Sequence, residues 1–107
     1  MKRHIGAISL LVRDYDEALS FYVDKLGFHL LEDSDMGNGR RWICVAPQDS
    51  AETLRSNSGQ ACLLLAKASS PEQLSRVGNQ SGGRVFLFLH TDSFQRDYKW
   101  DLLEMKP

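Results

Sequence analysis

Apolar and polar positions change period several times along this chain, and each change marks an element. Residues 5–12, "IGAISLLV", are apolar and partly β-branched, which predicts a strand. From Tyr15 the period lengthens. Tyr15, Ala18, Leu19, Tyr22, Val23 and Leu26 recur at helical spacing and make one apolar face. Asp14 stands where a helix needs a cap, with Glu17 placed as in a capping box. Gly27 is suited to end the helix in a left-handed conformation.

Beyond the helix, "FHLLED" (28–33) predicts a second strand, and "DSDMGNGR" (33–40) reads as its hairpin connection. "RRWICVAP" (40–47) predicts a third strand, stopped by Pro47. Residues 48–59 are polar and irregular, a surface loop. "QACLLLAK" (60–67) predicts a fourth strand whose apolar middle implies cover on both faces. Residues 68–83 connect, with one helical turn after Pro71. "RVFLFLHT" (84–91) predicts the most hydrophobic strand. "DSFQRDY" (92–98) begins a helix at Asp92, and "KWDLLEM" (99–105) predicts a last strand. The order is βαβββ, a linker, then β, a stub of α, and β.

The chain repeats itself. With Asp14 set against Asp92, 78 residues on, "AISLLVRDYDEALSFY" faces "VFLFLHTDSFQRDYKW". An apolar strand precedes each Asp, and Glu17 or Gln95 follows three residues later. Asp satisfies the orphan N–H groups where a strand turns sharply into a helix. Two copies of one βαβββ unit are therefore expected.

Length and charge narrow the classes. At 107 residues, 42% of them hydrophobic, the chain is expected to form a single domain. A net charge of −1 with no basic stripe argues against nucleic-acid binding. Cys44 and Cys62 sit in apolar, strand-like runs without CxxC spacing and read as buried, reduced thiols. The N-terminal apolar run is too short for a signal peptide or a membrane span, so a cytoplasmic location is the expectation.

"ISLLVRDYDEALSFYVDKLGF" resembles the opening of the vicinal oxygen chelate superfamily. That group contains glyoxalase I, bleomycin-resistance proteins and extradiol dioxygenases. "LLEDSDMGNGRRWICVAP", "GNQSGGRVFLFLHTDSFQRDY" and "KWDLLEMKP" extend the resemblance over nearly the whole chain, to an uncharacterised glyoxalase-like branch. The implied fold is α+β: paired βαβββ modules whose mixed sheet curls around a cleft. Module one spans about 1–67, the linker about 68–83, and a partial module two about 84–107. A complete second module would need on the order of 25–30 further residues between Tyr98 and Lys99. Either a segment is missing from the sequence and its flanks are joined, or the gene carries a true deletion. The bare sheet edges that a deletion would leave favour the first.

The resemblance also implies where metal ligands would stand: one on the first and one on the last strand of each module. The corresponding positions are Ala7 and Val85 on the first strands, with Asp101 and a residue near Leu63 on the last. Of these only Asp101 can donate, and one carboxylate cannot hold a catalytic divalent ion against water. No metal and no other cofactor is expected.

The remaining candidates are weaker. His4, His29 and His90 read as surface or strand-end histidines, and His90 is the best placed to meet a ligand. Trp42, Trp100, Phe86 and Phe88 are either core or a stacking wall for a planar ligand. Asp101, on the opposite strand face from Glu104, needs a partner such as Arg41, Arg84 or Lys99 if it is buried. "GNQSGG" lacks the Lys-Ser/Thr ending of a phosphate loop, and "EDSDMGNG" lacks a calcium loop's terminal Glu.

The expected function is therefore small-molecule binding by a glyoxalase-like cleft without the metal. Its candidate pocket comprises Trp42, Cys44, Phe86, Phe88, His90, Trp100 and Asp101. The alternative is an enzyme of the superfamily, a lyase, isomerase or dioxygenase that uses substitute ligands or no metal. The resemblance further implies a homodimer, as does the apolar face a lone half-sheet would expose.

Overall fold

A computed structural model describes residue 1 and residues 3–47 and 61–89. It contains four strands: β1 (Ala7–Val12), β2 (His29–Gly37), β3 (Arg40–Ala46) and β4 (Cys62–Lys67). They form one curled, unclosed sheet in the order β1-β4-β3-β2. The β1–β4 pair is parallel and the other two pairs are antiparallel, so the sheet is mixed. The fold is α+β. The predicted last helix and strand, and the junction at Tyr98, lie outside the described residues.

Helix α1 (Tyr15–Leu19) begins as its sequence prescribes, with the Glu17 N–H donating to the Asp14 carboxylate at 2.8 Å. It then widens into π-helical turns over Ser20–Lys25, where the Leu26 N–H reaches the Phe21 carbonyl. Gly27, at φ +82°, reverses the chain so that the Phe28 N–H returns to the Tyr22 carbonyl. The predicted apolar face is the face that packs. Tyr15, Ala18, Tyr22 and Leu26 are buried against Leu10 and Val12 of β1, Ile43 and Val45 of β3, and Leu63 and Leu65 of β4.

The hairpin differs from its sequence reading. The residues assigned to a connection, 33–37, belong to β2, and the turn shrinks to Asn38 and Gly39. Both carry positive φ, +55° and +76°, which is a type I′ hairpin turn. Residues 33–36 show no apolar alternation because β2 is an edge strand exposed along most of its length. Cross-strand pairing with β3, interrupted by two register shifts, makes them a strand. Strand β4 also differs in part. Leu63 and Leu65 are buried against the helix, but Cys62, Leu64 and Ala66 on the other face are only half-covered.

The linker contains the expected turn, helix α2 (Pro71–Ser75), capped by the Ser70 hydroxyl. Predicted strand 84–91 is not borne out where it is described: residues 85–89 join no ladder. Leu87 and Leu89 still turn inward onto the core, as a two-residue period requires. Hydrophobic alternation specifies which side is buried but does not supply a pairing partner. The free edge of β1 is met instead by Gln80. Its amide accepts from the Leu11 N–H at 3.2 Å and donates to the Leu11 carbonyl at 2.7 Å, standing in for a neighbouring strand's peptide. No described helix is long and apolar enough to cross a membrane.

Candidate functional site

One face of the sheet packs on α1, and the opposite face carries the candidate site. Alternation from the buried leucines puts Ala7, Ser9 and Leu11 of β1 on that open face. Cys62, Leu64 and Ala66 of β4 lie beside them in parallel register, followed by Trp42 and Cys44 of β3. At the hairpin end this face opens into a groove of about 720 Å³. Leu11, Leu64, Ala66 and Trp42 form its apolar floor; Met36, Asn38 and Arg40 stand on the hairpin side and Lys67, Ser69 and Gln73 on the other.

Arg41 anchors the hairpin to the helix. Its guanidinium grips Asp33 with two bonds, Nε to Oδ1 at 3.1 Å and Nη2 to Oδ2 at 2.6 Å, and reaches the Asp16 carboxylate at 3.0 Å. It lies 5.5 Å over the Tyr15 ring, and its backbone N–H donates to the Tyr15 hydroxyl. The hydrogen bond from Arg41 holds the Asp33 carboxyl below the usual carboxylate range. Arg41 was one expected partner for Asp101; among the described residues its charge is taken by Asp33 and Asp16.

The two cysteines are free thiols, Cys44 buried and Cys62 half-buried, on the neighbouring strands β3 and β4. Burial, then the Cys62 neighbour, pushes the Cys44 thiol up to about 11, which leaves it protonated and unreactive at neutral pH. Cys44 pairs with Leu64 in the ladder, so Cys62 sits one diagonal away.

The metal positions can be tested on this geometry. Ala7 faces the open side, and its cross-strand partner is Cys62. Leu63 turns into the core, 6% exposed, and cannot face a ligand. Next to it in β4, Cys62 faces the open side and carries a thiol, a weak donor that the reading of Asp101 as the sole donor passed over. A thiol opposite an alanine does not make a site for a hard divalent ion, and Val85 adds no donor. Among the described residues, no three His, Cys, Asp or Glu side chains come together. The described residues by themselves do not bring together the donors that the superfamily's metal would need.

Of the residues expected in a pocket, Trp42 lines the groove and Cys44 lies on the same face beside it. Phe86 and Phe88 stand 37% and 76% exposed, apart from the groove's described lining. His90, Trp100 and Asp101 lie outside the described residues. His4 and His29 are exposed and join no group of three potential ligands among the described residues. The sequence reading missed Arg40, Lys67 and Gln73, which line one groove because β3 and β4 are neighbours and α2 follows β4. The Asn38-Gly39 dipeptide was the available signal for Arg40, because a tight turn there sets which hairpin residues flank it.

Comparison with known proteins agrees with this architecture. The profile of the Glyoxalase/Bleomycin resistance protein/Dioxygenase superfamily matches residues 4–100. An uncharacterized protein of Shewanella frigidimarina (strain NCIMB 400) is 52% identical over 99 residues, 92% of this chain and 67% of that protein. The uncharacterized protein YetH of Bacillus subtilis (strain 168) is 38% identical over 53 residues, 50% of this chain and 43% of its own length. YurT of the same strain, also uncharacterized, is 45% identical over 49 residues, 46% of this chain and 39% of its own. This chain thus spans two thirds of the first relative and less than half of the other two. The crystal structure of UcmS2 superimposes with a TM-score of 0.65 at 23% identity, covering 99% of this chain and 76% of that one. At that identity the match speaks for the fold alone.

Proposed function

Because this chain belongs to the Glyoxalase/Bleomycin resistance protein/Dioxygenase superfamily, we propose that it binds a small organic molecule on the open face of its sheet without the superfamily's metal. The groove beside Trp42 carries this reading: it has an apolar floor, a few polar groups at its rim, and a volume suited to a drug-sized ligand. Ala7 and Val85 occupy two of the positions where a metal would need donors, which favours binding over Lewis-acid catalysis. In this reading residues 1–67 are a first βαβββ module, 68–83 a linker and 84–107 the start of a second. The partner is a small molecule, and two copies of the chain pair as a homodimer. The test is metal analysis of the purified full-length protein beside a screen of small molecules by thermal shift. We expect no stoichiometric metal and at least one stabilising ligand. A tightly held divalent ion whose removal abolishes turnover of a carbonyl or diol substrate would overturn the proposal.

A further inference from the structure

The charges around the groove are unevenly neutralised. Three cationic side chains, Arg40, Arg41 and Lys67, line it, and its described lining contains no Asp or Glu. Arg41 is satisfied by Asp33 and Asp16. Arg40 and Lys67 make no ion pair among the described residues and stand exposed at the groove. They flank an apolar floor built from Leu11, Leu64 and the indole of Trp42, which is 41% exposed. An open apolar surface between two cations that have no ion-pair partner among the described residues suits a molecule that is itself divided, with a planar or aliphatic body and one anionic head. A neutral hydrocarbon would leave the cations without compensation, and a small inorganic anion would leave the floor wet.

We infer that the ligand class is an amphipathic organic anion, a carboxylate or sulfonate on an apolar body, with Arg40 and Lys67 holding the head and Trp42 packing against the body. The inference rests on the groove being the binding site and adds the charge of its occupant. Ionic strength should weaken the interaction, since both cations are at the surface.

Two dyes of nearly the same shape separate the body from the charge. 1-Anilinonaphthalene-8-sulfonate carries the sulfonate and N-phenyl-1-naphthylamine does not. Both are titrated into the full chain at low and high salt, with near-ultraviolet circular dichroism to show that the protein stays folded. The sulfonate dye is expected to bind more tightly than the neutral one and to weaken with salt. Arg40→Gln with Lys67→Gln is expected to weaken it about tenfold, from two exposed charge contacts of roughly 0.7 kcal/mol each. The neutral dye should stay within about twofold. Trp42→Ala should weaken both dyes. Equal affinity of the two dyes, or a charge variant that leaves the sulfonate dye unchanged, overturns the inference and leaves the groove reading standing. If neither dye binds, or Trp42→Ala affects neither, the groove reading itself fails.

Discussion

Tyr22 buries its hydroxyl without a hydrogen-bond partner, whereas that of Tyr15, also in the core, accepts from the Arg41 N–H. The Tyr22 ring is fully covered, packed edge-on to Phe21 at 4.9 Å and tilted against Phe28. An unpaired buried hydroxyl costs on the order of 1–3 kcal/mol. Tyr22→Phe is therefore expected to raise stability by up to about 1 kcal/mol, after some loss of packing, as read from denaturant midpoints. Burial raises the Tyr22 pKa above its ordinary value of 10.0, so the unfolded chain ionises first as pH rises. That contribution is fully present below pH 10 and is lost above it, so Tyr22→Phe should flatten the alkaline fall in stability. Cys44 gives a second measurement at this scale. With its thiol pushed up to about 11, the thiolate at pH 8 is about a hundredfold scarcer than for an ordinary cysteine. Alkylation by iodoacetamide, followed by mass spectrometry, should label Cys44 that much more slowly in the folded protein and at the ordinary rate once it is unfolded. Neither behaviour is visible in the sequence beyond the apolar surroundings of Tyr22 and Cys44. The extent of burial depends on strands that are distant along the chain.

Among the elements, those held by neighbouring residues were legible and those held by distant ones were not. The Asp14 cap, the apolar face of α1 and the Gly27 reversal all act within a few residues, and all are present. The predicted turn after Pro71 is present for the same reason, with Ser70 as its cap. Strand β2 extends past its predicted end because β3 supplies the ladder that its own sequence does not announce. Segment 85–89 shows the converse: it has the alternation of a strand and turns Leu87 and Leu89 onto the core, yet joins no described ladder. Strand β1 shows how an edge can be satisfied by other means. Gln80, 69 positions away, bonds both the N–H and the carbonyl of Leu11. Gln80→Ala should destabilise the fold by about 1–2 kcal/mol, the value of two partly buried hydrogen bonds. It should also speed exchange of the Leu11 amide, measured by hydrogen–deuterium exchange. An unchanged Leu11 rate would mean that Gln80 does not hold this edge.

On the scale of the whole molecule, the described residues form a four-stranded sheet with one face on a helix and leave much of its other face and its outer edge strands uncovered by one another. Leu30, Leu31, Met36, Trp42 and Phe88 are all exposed large apolar side chains. A surface of that kind favours association, so sedimentation of the full chain is expected to give a dimer at micromolar concentration. A monomer at all accessible concentrations would remove the need for a partner copy.

Taken alone, the amino-acid sequence determined the α+β class, the superfamily and the capped helix with its buried stripe. These follow from period, capping and residue type, which act locally or reside in single side chains. The tertiary structure alone decided that Cys62 rather than Leu63 faces the cleft, that Arg41 is neutralised by Asp33 and Asp16, and that Arg40 and Lys67 share a groove with Trp42. A one-residue change of register turns every side chain of a strand to the opposite face. Register is set by pairing between strands far apart in the chain, so no local pattern could specify which charges meet.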